Sequence, residues 1–89
     1  MTSCPLVMIE WEDSAQPSPN WRHLQDAGTP TPIVCRSVGW LIVDTARVKV
    51  IAPNMGAIDD PTSIQMSGTI TIPTRCVRRT VRLKEPKIR

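Results

Sequence analysis

The sequence predicts an all-β fold, a small five-stranded barrel of the SH3-like or Sm-like kind with a long first loop, and three observations carry that prediction. Apolar residues recur with period two, and no segment keeps an i, i+3, i+4, i+7 apolar pattern for three turns. Gly39 interrupts the longest apolar stretch, as happens where one strand bends to serve two faces of a small barrel. The link before the last strand, residues 73–76, opens with proline and is too short for a hairpin loop, so it suits one 3₁₀ turn that swings the chain to the far sheet edge.

Taken in order, the first strand is LVMIEW, residues 6–11, ended by Glu12 and Asp13. A loop over 13–32 follows, broken by Pro17, Pro19, Gly28, Pro30 and Pro32. It has room for one short helical turn within NWRHLQDAG, with Asn20 to cap it and Gly28 to end it. The second strand covers 33–45, and Asp44-Thr45-Ala46 turns tightly into the third, RVKVIA at 47–52, where Val48 and Val50 face one side and Arg47, Lys49 and Ile51 the other. A polar loop at 53–63 carries two turn signals, Asn54-Met55-Gly56 and Asp59-Asp60-Pro61. The fourth strand is QMSGTITI, 65–72, stopped by Pro73, and the fifth is VRRTVRL, 77–83. The whole, 1–89, reads as a single domain with a basic tail at 84–89.

A chain of 89 residues buries only about 60–65% of its unfolded surface, so a homo-oligomer would supply burial that one subunit lacks. There is no Phe or Tyr, which makes the core aliphatic apart from Trp11, Trp21 and Trp40. Trp40, sharing parity with Val38 and Ile42, is expected in that core. Cys4, Cys35 and Cys76 form no CxxC pair, and their odd number points to reduced thiols rather than a disulfide framework. With no basic-then-apolar leader and no run of about 20 apolar residues, the expectation is a cytoplasmic protein that does not engage membrane. Charge is asymmetric: residues 75–89 hold Arg75, Arg78, Arg79, Arg82, Lys84, Lys87 and Arg89 against Glu85 alone.

The stretch WEDSAQPSPNWRHLQDAG, 11–28, concentrates two tryptophans and the only histidine. Trp11 and Trp21 either close one end of the barrel as a lid or present indole faces to a ligand or partner. Asp13 and Ser14 either tie down the following turn or read the donors of a purine or ribose. Arg79, on the parity of Val77 and Val81, needs a carboxylate or an anion, with Glu10 and Glu12 as protein partners and a phosphate as the alternative. Nothing in the spacing joins His23 to Ser14 or Cys35 as a catalytic pair, and there is no metal-ligand spacing or phosphate loop, so no enzyme and no cofactor is expected.

The combination of WEDS, the tryptophan ten residues on, Ser37-Val38-Gly39-Trp40-Leu41, VIAPN and Ile72-Pro73 ahead of a basic-apolar strand resembles a group of small proteins encoded in bacteriophages and prophages, over Trp11 to Leu83. The resemblance implies a phage accessory protein in a host cell and says nothing of chemistry. In that setting the leading expectation is an anti-defence sponge that sequesters a small nucleotide signal between subunits. Trp11 and Trp21 would stack a base, Asp13 and Ser14 would bond it, and Arg22, Arg75, Arg78 or Arg79 would meet phosphates. The alternative is a protein-interaction module that inhibits a host or phage protein. Nucleic-acid binding through the basic C-terminal strand ranks third, because no aromatic residue follows Trp40.

Overall fold

A computed structural model describes residues 4–15 and 17–86. The described chain is all-β, with strands β1 (Leu6–Asp13), β2 (Ile33–Asp44), β3 (Val48–Ala52), β4 (Asn54–Gly56), β5 (Gln65–Ser67), β6 (Ile70–Pro73) and β7 (Val77–Arg82). Five of them form one antiparallel sheet in the order β6-β3-β2-β1-β7, and β4 and β5 form a separate two-stranded sheet. The expected third and fourth strands therefore run on into one another as a long hairpin, interrupted on one side at Pro53 and on the other at Gly68, whose φ is +72°. The stretch 53–63, expected to be loop throughout, begins with β4. Its Asn54 and Met55 pair with Ser67 and Met66 across the hairpin.

The anticipated 3₁₀ link is present at Thr74–Cys76 and delivers the chain from β6 to β7 at the opposite edge. Among the described residues β6 and β7 share no ladder, so the sheet stays open where a barrel would close. Pro73 has no N–H to offer, and the Thr74 N–H is held by the Arg47 carbonyl at 3.0 Å, which ties the end of β6 to the turn before β3.

The fully buried core is small and aliphatic: Val7, Ile9, Ile51 and Ile72, with Ala52 also buried. Trp11, Leu41, Ile70, Cys76 and Val77 pack against it. Gly39 lies opposite Val7. A Cβ there would meet the Ala52 carbonyl oxygen at 2.8 Å, so the residue is glycine because β3 backbone crosses it. This overturns the placement of Trp40 in the core. Gly39 and Ser37 take the inward positions opposite Val7 and Ile9. Trp40 and Val38 alternate outward opposite Leu6 and Met8, with Val38 exposed and Trp40 half-buried. The Trp40 indole N–H reaches Glu85 Oε1 at 3.3 Å.

A register shift between Glu10 and Trp11 in the β1–β7 ladder changes the facing of β7. Val77 pairs with inward Trp11, while Arg79 pairs with Glu10 and Val81 with Met8 on the outer face. Arg79 thus has the outward position and not the inward one that simple alternation assigned it.

Candidate functional site

The loop between β1 and β2 is an arm. Every described residue from Glu12 to Val34 is exposed, and the molecule measures 59 × 26 × 23 Å. Among its described residues the helical turn is a 3₁₀ turn at Leu24–Asp26, starting from His23 with no side-chain cap, so Asn20 does not serve as the cap. Gly28, with φ +66°, follows two residues beyond it as the expected breaker. Trp21 is 100% exposed and Leu24 91%. The lid reading of Trp21 is therefore excluded within one subunit: the indole touches no core.

Trp11 does the opposite. Its ring packs on the Val7–Ile9–Ile51–Ile72 cluster and its Nε1–H donates to Ser37 Oγ at 3.0 Å, so both the apolar face and the polar edge are used internally. Asp13 Oδ1 accepts from the Ser14 backbone N–H at 2.8 Å, which is the local turn-stabilising use of these residues. Together with Glu12, Pro30, Pro32 and Cys76 they line an open cleft of about 400 Å³ at the root of the arm.

The arginines go to separate places. Arg22 accompanies Trp21 and His23 on the arm. Arg75 lies beside Arg47, Val48 and Pro73 in a cleft of about 410 Å³. Arg78 and Arg79 gather with Arg36 around Glu10, which is only 8% exposed. Arg36 Nε donates to Glu10 Oε2 at 2.8 Å, and the Nε atoms of Arg79 and Arg78 stand 3.6 and 3.9 Å from Oε1. The Arg36 hydrogen bond, reinforced by the charges of Arg79, Arg36 and Arg78 and opposed by burial, holds the Glu10 carboxyl below its ordinary value near 4.5. Glu10 as the carboxylate partner of Arg79 was legible in the sequence. Arg36 was missed, though antiparallel pairing of the first two strands with Trp11 opposite Cys35 puts it directly across from Glu10.

The expected constellation of Trp11, Asp13, Ser14, Trp21, Arg22, Arg75, Arg78 and Arg79 is thus spread over the inner face, arm root, arm tip, outer face and the β3–β6 end. Among the described residues, none of the clefts above collects them. A feature the sequence did not single out lies past the opposite end of the β1–β2 ladder from the arm. It is a cavity of about 610 Å³ lined by Cys4, Ile42, Met55, Ile64, Gln65 and Met66, between β2 and the β4–β5 hairpin. Among the described residues there is no group of three or more His, Cys, Asp or Glu arranged to hold a metal ion, and no helix is long and apolar enough to cross a membrane. Comparison with protein-family models, with curated proteins and with solved structures finds no match to the chain.

Proposed function

We propose that the protein is a non-enzymatic binding module, a small SH3-like or Sm-like β-barrel whose arm engages a polypeptide partner. The strand order, the Ala52 backbone lying against Gly39 and the 3₁₀ turn before β7 support the barrel assignment. The observation that carries the binding reading is the arm: a tryptophan and a leucine three residues apart stand almost wholly in water on a segment whose described residues are all exposed. Large exposed apolar side chains of this kind are the usual anchors of protein interfaces. The resemblance to small phage- and prophage-encoded proteins supports a setting inside a host cell, where such a module blocks a host or phage protein.

Native mass spectrometry of the protein purified gently from bacterial cells tests this. A polypeptide adduct on the wild type is expected, absent from Trp21→Ala, while the melting temperature of that variant shifts by less than about 2 °C, because the exposed ring contributes little to folding. A retained adduct, or strong destabilisation, refutes the arm as the binding element.

One further observation favours a second reading, capture of a small anionic ligand such as a nucleotide signal at a subunit interface. Arg36, Arg78 and Arg79 surround a single carboxylate, so the cluster is net positive, and their side chains are 49–63% exposed. Under this reading the same spectrum shows a nucleotide mass that disappears in Arg79→Ala and at high salt. Nucleic-acid binding is weaker, since Arg78 and Arg79 share Glu10 and no aromatic side chain lies on β7.

A further inference from the structure

We infer that the arm's partner is a second copy of this chain, and that Trp21 of each copy seats in the other's cavity between β2 and the β4–β5 hairpin. The inference rests on the arm being a protein-binding element and goes on to identify what it binds.

Three features of the molecule point to this pairing. The first is chemical fit. The cavity is lined chiefly by Ile42, Ile64, Met55 and Met66, and at about 610 Å³ it is roomy enough for an indole and a leucine together. Methionines adapt to an incoming aromatic ring and contact it favourably through sulfur. Met66, paired across the hairpin with Met55, is 55% exposed.

The second is charge. Arg22, next to Trp21, is the arm's basic residue, and the hairpin that walls the cavity is closed by a connection carrying Asp59 and Asp60. Thr62 donates to Asp60 Oδ1 from both its hydroxyl, at 2.8 Å, and its backbone N–H, at 3.1 Å. These bonds, with one from Ser63, hold the Asp60 carboxyl below its ordinary value, so the hairpin tip is anionic at neutral pH. A seated Trp21 brings Arg22 to that tip.

The third is reach. The arm leaves the sheet at the Asp13–Ile33 end of the β1–β2 ladder, whereas Cys4 and Ile42 lie beyond its Leu6–Trp40 end. Nine residues separate Asp13 from Cys4, most of them in β1, about 30 Å at about 3.3 Å each. Trp21 is eight residues from Asp13, and a proline-punctuated segment rising about 3.1 Å per residue spans only about 25 Å. The arm's own cavity is at or past the limit of its tether, even doubled straight back along the sheet. A second copy lying antiparallel along the 59 Å axis brings each arm to the other's cavity with no such strain.

Sedimentation of wild type, Trp21→Ala, Met66→Arg and an equimolar mixture of the two variants tests the pairing. Met66 is exposed, so the arginine fills the cavity mouth without entering the core. Wild type is expected at twice 9.9 kDa at micromolar concentration, with association weakened about tenfold or more in either variant alone. In the mixture the intact arm of Met66→Arg meets the intact cavity of Trp21→Ala, so a one-to-one complex returns through a single junction. Wild type remaining monomeric at high micromolar concentration, self-association indifferent to either substitution, or a mixture that fails to complement overturns the inference. A monomer whose foreign polypeptide adduct is lost in Trp21→Ala overturns this pairing while leaving the arm as a protein-binding element. A dimer unaffected by Trp21→Ala, with no other adduct, refutes both.

Discussion

At the scale of single residues, Glu10 shows how one buried carboxylate organises a surface. Its carboxyl is held below the ordinary value near 4.5 by Arg36 first, then by Arg79 and Arg78, so between the folded and unfolded values the unfolded chain binds more protons. The stability it contributes is fully present above about pH 4.5 and is lost as pH falls through the depressed folded value. Glu10→Gln should accordingly melt below wild type at pH 7, with the gap narrowing in acid; a gap of constant size from pH 7 to pH 3 would show that the charge is not what matters. Gly39 makes the complementary point about space. Backbone, which cannot rotate away, stands 2.8 Å from where its Cβ would lie, and Gly39→Val should cost about 1–3 kcal/mol, read as a lower melting temperature and lower soluble yield. A special role for Gly39 was legible because a mid-strand glycine marks a bend or a close approach of backbone, and here the structure shows the close approach. The facing of Trp40 was not, because alternation favours the larger residue inward, and only the passage of β3 over Gly39 reverses it.

At the scale of elements, the period-two signal located four strands of the main sheet to within about two residues, since branched residues and terminal breakers both speak locally, but it ran the fourth expected strand, 65–72, across the break that separates β5 from β6. What it could not show was pairing across distance. Asn54-Met55-Gly56 carries the marks of a turn, yet opposite Gln65–Ser67 it becomes the outer half of a hairpin. The β7 bulge is likewise invisible in VRRTVR, because nothing in that stretch marks the slip between Glu10 and Trp11. The arm is the reverse case. Its five Pro and Gly breakers announced a loop correctly, but whether Trp21 folded back depended on a core that offers it no place. The β1–β2 ladder is complete out to Asp13 and Ile33, so it does not need the arm. Replacing residues 15–31 with Asn-Gly should leave the sheet intact and stabilise the isolated subunit by about 1–2 kcal/mol, since a shorter loop costs less entropy to close. Urea unfolding checks this, and a loss of stability would mean the arm packs on its own subunit.

At the scale of the whole molecule, a few buried aliphatic side chains support an elongated chain whose radius of gyration is 17.5 Å, against about 12 Å for a compact domain of this length. The excess lies in the two extensions, the arm at one end of the β1–β2 ladder and the β4–β5 hairpin past the other, each carrying exposed apolar side chains: Trp21 and Leu24 on the first, Ile58 and Met66 on the second. Under the pairing inferred above, each extension covers the other's exposed apolar side chains. Association of folded chains alone adds stability by mass action, so the melting temperature of the full chain should rise with concentration, by a few degrees for each tenfold increase. The variant lacking residues 15–31 is the control. Its melting temperature should be the higher of the two at high dilution, where loop entropy decides, and should stay flat with concentration while that of the full chain climbs past it. Parallel curves for the two proteins would mean that the arm takes no part in association, and a flat curve for the full chain would mean that the subunit stands alone.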